Sequence, residues 1–200
     1  MSNYGVNDIE TLSFKEGVRQ RIAMYLGSAD NQGVENGIQE IISNSIDEYY
    51  MGYGDKIAII LFADKICVRD FGRGIPFGEK NGENVLESIF SRAHTGGKFN
   101  EKVYQSVAGL NGIGAKATCL SSKYFKCISM RDGKYAEIVF EKGNMISYEE
   151  NSLPDNKKNL RENETGTYIE FYPDEEVFNL EPIKIEFNDL CKKCKNDSDS

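Results

Sequence analysis

Lys56-Ile-Ala-Ile-Ile-Leu-Phe62-Ala-Asp-Lys65-Ile-Cys-Val-Arg-Asp70 is the stretch that decides the fold. Two runs rich in β-branched residues, Lys56 to Phe62 and Lys65 to Asp70, flank Ala63-Asp64, and together they predict a hairpin with a two-residue turn. In the second strand, alternation places Ile66, Val68 and Asp70 on one face and Cys67 and Arg69 on the other. An aspartate therefore shares the parity of two core residues. Burying a carboxylate without a partner is costly. Asp70 thus either accepts a hydrogen bond from a ligand or serves the turn into Gly72, a common use of Asp.

Upstream, Val34 to Tyr50 has helical periodicity: Val34, Ile38, Ile41, Ile42, Ser45, Ile46 and Tyr49 fall within roughly 140° of arc and predict a core-facing stripe. Glu40, Asn44 and Asp47 stack along a second line, about 100° or more from the apolar centre. A carboxylate that polarises water and an amide oxygen for a hard cation would suit a metal-triphosphate site. A solvated acidic face is the alternative. Residues 1–15 read as an extended arm, and Phe14 to Tyr25 as a short helix.

Downstream, nine of the 19 glycines lie between Gly72 and Gly114, a density that signals special backbone conformations or close approach. Helices are predicted at Val85 to Arg92 and Ile113 to Ser121. Strands follow at Tyr124 to Met130, Tyr135 to Glu141, Met145 to Tyr148 and Thr167 to Tyr172, with a turn at Asp132-Gly133. Asn151 to Thr165 reads as a polar loop and Lys184 to Lys193 as a closing helix. The pattern predicts an α+β two-layer sandwich, a mixed and mostly antiparallel sheet with helices on one face. Thr167, Ile169 and Phe171 share a face, so Thr167 offers a core-side hydroxyl that either joins the Asp70 pocket or is satisfied by backbone. Gly109-Leu-Asn-Gly112-Ile-Gly114 enters a helix and offers N–H groups to an anion, or is a Gly-rich turn. It is not a Walker A loop, because Ala115-Lys116-Ala117 follows Gly114, and it lacks the order and preceding strand of a dinucleotide fingerprint.

The 200 residues carry 24 Lys+Arg against 32 Asp+Glu, a net charge of −8. Such a chain does not hold DNA by its own charge, so any nucleic-acid role is indirect. Its longest apolar run, Ile57 to Phe62, is far below the roughly 18 residues of a membrane span. The polar N-terminus has no secretory pattern, so the expected compartment is the cytoplasm, with no membrane partner. Cys67, Cys119, Cys127, Cys191 and Cys194 are an odd set that suits reduced thiols. Cys191-Lys-Lys-Cys194 has metal-like spacing but no second pair, and His94 is the single His, so no zinc site is expected.

Five motifs occur in a fixed order: Glu40-Ile-Ile-Ser-Asn44-Ser-Ile-Asp47-Glu48, Asp70-Phe-Gly72-Arg73-Gly74-Ile75-Pro76, His94-Thr-Gly96-Gly97-Lys98-Phe99, Gly109 to Gly114, and Thr165-Gly166-Thr167. From about Tyr4 to Tyr172 the chain resembles the ATPase domain of type IIA DNA topoisomerases, the gyrase B and ParE subunits, within the GHKL (Bergerat-fold) ATPases. The resemblance implies ATP and Mg2+ as cofactors. It implies Glu40 as the general base, Asn44 as the metal ligand, and Asp70, supported by Thr167, as the acceptor of the adenine amino group. Gly72 and Gly74 would shape the adenine pocket, with Arg73, Ile75 and Pro76 at its rim and Glu48 beside it. Lys98 and the run Gly109, Leu110, Asn111, Gly112, Ile113 and Gly114 would wrap the triphosphate, Lys98 in a catalytic role, with Tyr104 also facing nucleotide. Tyr4 and Ile9 match the arm that reaches the partner subunit in an ATP-closed homodimer, Tyr4 touching the nucleotide.

Departures from the family pattern are Ile22-Ala23 for Pro-Gly, Phe71 for a second acid, Asn111 for His and Ala108 for Gly. The implied domains are an arm at 1–15, the ATPase domain at 16–194 and a tail at 195–200. The implied function is an ATP-driven gate for DNA strand passage, with DNA and a gyrase A or ParC-like cleavage subunit as partners through domains beyond this chain. A fragment of this length, without the transducer lysine, is expected to bind ATP and hydrolyse it slowly. The alternative is a stand-alone GHKL nucleotide-binding module not coupled to DNA.

Overall fold

In the computed structural model, which describes residues 12–93, 113–152 and 165–181, the helical layer starts at a capping box. The Ser13 hydroxyl accepts from the Glu16 N–H at 3.3 Å while the Ser13 N–H donates to Glu16 Oε2 at 2.8 Å, opening α1 (Phe14–Gln20). The helix expected to run to Tyr25 breaks at Arg21 (φ −128°, ψ 40°), and a single turn, α2 (Ala23–Leu26), follows. The break folds the Tyr25 ring back edge-on to Phe14, with centroids 6.3 Å apart. Eleven residues of continuous helix would hold those positions about 16 Å apart.

The long helix α3 (Asn31–Tyr50) is capped by the Asp30 carboxylate, which accepts from the Gln32 N–H at 2.9 Å. Val34, Ile38, Ile41, Ile42 and Ser45 are buried as the stripe requires. Tyr49 is not: it is 56% exposed and packs edge-on against Tyr50 in the last helical turn, an outcome its water-seeking hydroxyl permits. Further helices are α4 (Val85–Ser91) and α5 (Gly114–Leu120).

The sheet has the order β1-β2-β8-β5-β6-β7, with every pairing antiparallel. Its strands are β1 (Ile57–Leu61), β2 (Ile66–Asp70), β5 (Ser122–Arg131), β6 (Lys134–Glu141), β7 (Asn144–Ser152) and β8 (Gly166–Pro173). A small ribbon, β3 (Glu79–Lys80) with β4 (Glu83–Asn84), stands apart. The β1-β2 hairpin closes through Ala63-Asp64, the Phe62 N–H donating to the Lys65 carbonyl at 2.9 Å. Asp132-Gly133 and Lys142-Gly143 both have positive φ at both positions, the geometry that matches strand twist in two-residue hairpins. β7 runs to Ser152, beyond the expected Tyr148, and takes in Asn151. As an edge strand it tolerates the polar residues that made this stretch read as loop.

β8 is last in sequence but lies in the middle of the sheet, between the β1-β2 hairpin and the β5-β6-β7 meander. One sheet face carries Ile66, Val68, Phe125, Cys127, Ala136, Ile138, Phe140, Ile169 and Phe171, all buried together with Ile38, Leu86, Phe90 and Leu120 of the helices. Cys67, Cys119 and Cys127 are buried free thiols, while Cys191 and Cys194 lie outside the described residues. Among the described residues no helix is long and apolar enough to cross a membrane.

Candidate functional site

The insertion of β8 beside β2 sets Thr167 against Asp70, one step beyond the Arg69–Tyr168 pair. Asp70 Oδ1 accepts from the Thr167 N–H at 3.0 Å and from the Gly72 N–H at 3.0 Å, while Oδ2 receives the Ser45 hydroxyl at 3.3 Å. Asp70 is 6% exposed, and burial pushes its carboxyl above the usual aspartate range, against the pull of the Gly72 and Thr167 hydrogen bonds and the Arg69 charge. The turn reading of Asp70 holds, through the Gly72 N–H. One oxygen makes the turn, and the other keeps a single long contact beside a pocket.

Gly72 to Pro76 form a strap over that pocket. Gly74 has φ +76°, and a Cβ there would lie 2.4 Å from the Met130 carbonyl oxygen, so the strap passes too close to β5 for any other residue. Arg73 donates to Glu48 three times, from its backbone N–H (2.9 Å), Nε (3.1 Å) and a terminal nitrogen (2.7 Å). Burial alone would raise the Glu48 carboxyl, but the Arg73 hydrogen bonds and charge outweigh it and hold the carboxyl low. The Ile75 carbonyl receives the Ser129 hydroxyl at 2.6 Å, and the Gly74 carbonyl receives Arg131 at 3.4 Å.

Glu40 and Asn44 occupy successive turns of α3. Glu40 is half-buried, and the loss of water raises its carboxyl above the ordinary glutamate value. The start of α5 lies directly against it: a Cβ on Gly114 would fall 2.0 Å from Glu40 Oε2, so a larger residue there would displace the Glu40 carboxyl. The Thr118 hydroxyl bonds the Gly114 carbonyl at 3.0 Å and the Gly37 carbonyl at 3.4 Å, holding α5 close to α3. Asn44 Oδ1 is buried with no hydrogen-bond partner among the described residues. An orphaned hard oxygen of this kind fits a hard cation. Among the described residues there is no cluster of three His, Cys, Asp or Glu, so a metal here would take its remaining ligands from a bound anion or water.

Between α3, α5, β2 and the strap lies a pocket with apolar walls (Ile41, Ile75, Ile89, Phe90, Ala115, Ile169) and convergent polar groups (Asn44, Ser45, Glu48, Asp70, Lys116, Thr167). This is the usual make-up of a small-molecule site. Of the residues singled out from sequence, Asn44, Glu48, Asp70, Gly74, Ile75 and Thr167 line it. Gly72 and Arg73 border an adjoining pocket with Tyr53, Phe71 and Arg131. Glu40, Pro76, Ile113 and Gly114 are described but stand outside the lining. Tyr4, Ile9, His94, Lys98, Tyr104, Gly109, Leu110, Asn111 and Gly112 lie outside the described residues. Sequence reasoning missed Lys116, which is 2% exposed, donates from Nζ to the Arg92 carbonyl and is lowered by burial to about 8. A lysine inside the small and apolar run Ala115 to Leu120 was the available signal.

No family model matches the chain. It is 41% identical over 181 residues to the B subunit of DNA topoisomerase 4 from Borreliella burgdorferi, covering 88% of this chain and 28% of that protein. The same protein of Mycoplasma capricolum is 40% identical over 194 residues, covering 96% and 29% respectively. Its Staphylococcus aureus counterpart is 36% identical over 179 residues. The chain thus spans less than a third of the length of these relatives. Among solved structures, the 43K ATPase domain of Thermus thermophilus gyrase B in complex with an aminocoumarin superposes with a TM-score of 0.71 at 27% identity, over 91% of this chain and 44% of that one.

Proposed function

Because the chain belongs with the ATPase domains of the type IIA topoisomerases, the gyrase B and ParE group, we propose that it binds ATP in the pocket beside Asp70 and hydrolyses it to drive DNA strand passage. The observation that carries the reading is Asp70, a buried carboxylate with one oxygen fixed by two N–H groups and the other next to an apolar slot. Asp70 Oδ2 accepts the adenine amino group, with Thr167 supporting it and Gly72, Gly74, Ile75 and Pro76 walling the base.

Glu40 takes the proton from the attacking water. Burial brings its pKa nearer neutrality, which strengthens it as a base. Asn44 Oδ1 would hold Mg2+, whose chemistry there would be to neutralise charge on the phosphates. Lys98 and residues 109–114 wrap the triphosphate, with Tyr104 and Tyr4 against the nucleotide. Residues 1–15 join two copies when ATP is bound. DNA and a gyrase A or ParC-like partner are engaged through other parts of the protein, in the cytoplasm.

The test is calorimetric titration of a non-hydrolysable ATP analogue with Mg2+, paired with phosphate-release kinetics. Asp70→Asn is expected to weaken binding by roughly 1.5–3 kcal/mol, the range for hydrogen bonds to charged groups. Glu40→Ala keeps binding and loses about 10²–10⁴-fold in turnover, the range for a general base. Equal loss of binding in both variants would sink the assignment of roles.

A further inference from the structure

We infer that Ser129 is a positioning residue for the bound base, its hydroxyl holding the Ile75 carbonyl and so fixing the strap that walls the pocket. The inference rests on the nucleotide reading of that pocket. The inward face of β5 carries Phe125, Cys127 and Ser129, each 0% exposed. A hydroxyl at such a position costs stability unless it is bonded, and an aliphatic residue would fill the same space freely. Ser129 donates to the Ile75 carbonyl at 2.6 Å, across 54 residues of sequence.

The strap has four attachments, and they differ in strength. At its start, the Gly72 N–H is bonded to Asp70 Oδ1 at 3.0 Å, and Arg73 is bound to Glu48 by three hydrogen bonds. Gly74 and Ile75, the two strap residues that line the pocket, depend on β5. There the Arg131 contact to the Gly74 carbonyl is long, at 3.4 Å, so the short Ser129 bond is the stronger hold. A Cβ placed on Gly74 would come within 3.1 Å of Ser129 Oγ, so the strap runs close beside this side chain. Removing the hydroxyl leaves a part-buried carbonyl without its partner and lets the pocket wall shift.

The experiment is calorimetric titration of the full 200-residue chain and its variants with a non-hydrolysable ATP analogue and Mg2+, reading Kd and the number of competent sites separately. Ser129→Ala is expected to raise Kd about 3- to 10-fold with the site number unchanged, from the loss of one neutral hydrogen bond. Ser129→Thr, which keeps the hydroxyl, is expected to restore Kd to within about twofold, a fraction of that same hydrogen-bond energy. Should the alanine variant not fold, Ser129→Cys, close in shape and a weaker donor, gives the same direction of change. A Kd unchanged in these variants, or a fall in site number at constant Kd, would overturn the inference and leave the nucleotide reading intact. No binding by the wild type would overturn both.

Discussion

Asp70 and Asp174 stand at opposite ends of β8 with little surface exposed, 6% and 3%, yet Asp70 lies deeper among protein atoms and their carboxyls are shifted in opposite directions. At Asp174, burial is outweighed by Arg19, whose guanidinium lies 2.6 Å away, and by the Glu176 N–H at 3.0 Å, so the carboxyl is held low. At Asp70, the hydrogen-bond donors are two backbone N–H groups and a hydroxyl, and burial wins. Among the described residues no ion pair reaches it. One aspartate is neutralised from within and ties α1 and α5 to the end of the sheet, since Arg19 also donates to the Leu120 carbonyl at 3.1 Å. The other retains an acceptor not claimed by a charge. The carboxylate that ties the end of the sheet is given a cation, whereas the one that lines the pocket is left with neutral donors.

The largest expected effect tests the closed end. Arg19→Ala leaves Asp174 buried and unpaired and is expected to cost about 3 kcal/mol in urea unfolding, in line with breaking a buried ion pair. Asp70→Asn replaces a carboxylate that folding disfavours with a neutral amide of the same size. Its unfolding midpoint at pH 7 is expected to equal or exceed that of the wild type even as nucleotide binding falls. If Asp70→Asn destabilises as much as Arg19→Ala, the contrast between the two ends collapses.

The next effect is in pH. Asp174 has a lowered folded pKa, so its stabilisation is present above the ordinary aspartate value of about 3.9 and is lost as pH falls through the folded value. Asp70 has a raised folded pKa, so its relative contribution is full below about 3.9 and is lost as pH rises through the folded value. Thermal melts between about pH 3 and pH 7 should therefore diverge. Relative to wild type, Asp70→Asn gains with rising pH, while Asp174→Asn falls further behind. Parallel curves for the two variants would show that the aspartates titrate alike.

Much of this contrast was legible in the sequence, but unevenly. The parity of Ile66, Val68 and Asp70 gave the buried face of β2, and the parity of Thr167, Ile169 and Phe171 gave that of β8, because strand alternation is local. Nothing local sets β8 between β2 and β5, so the bond from the Thr167 N–H to Asp70, spanning 97 residues, was not foreseen: parity offered only the Thr167 hydroxyl to the Asp70 pocket, and the resemblance only a supporting role. The Arg19–Asp174 pair spans 155 residues and left no pattern at all. Ser45 was read correctly as core-facing, yet its hydroxyl counted as a small apolar group until Asp70 came within 3.3 Å. The break after α1 was hidden because Val18, Ile22 and Leu26 keep helical spacing across it, all three buried.

Ser45 gives the smallest and finest test. Its hydroxyl divides between the Ile41 carbonyl at 3.4 Å and Asp70 Oδ2 at 3.3 Å, both long, so Ser45→Ala is expected to cost about 0.5–1 kcal/mol of nucleotide affinity near neutral pH. The direction of the pH effect follows from which form the hydroxyl favours. A donor stabilises the ionised carboxylate, and its loss raises the Asp70 pKa further. From α3, Ser45 and Glu48 share the pocket with Asp70, from α5 Lys116, from β8 Thr167, and on β5 Cys127 lies near enough to feel its charge. Arg69, on the same strand, acts on both variants alike. Binding of the ATP analogue, followed from about pH 5 to 8, should therefore begin to fail at a higher pH in Ser45→Ala than in the wild type. A uniform offset across the range would mean that Ser45 merely fills space, and that the neutral donors around Asp70 do not set its charge.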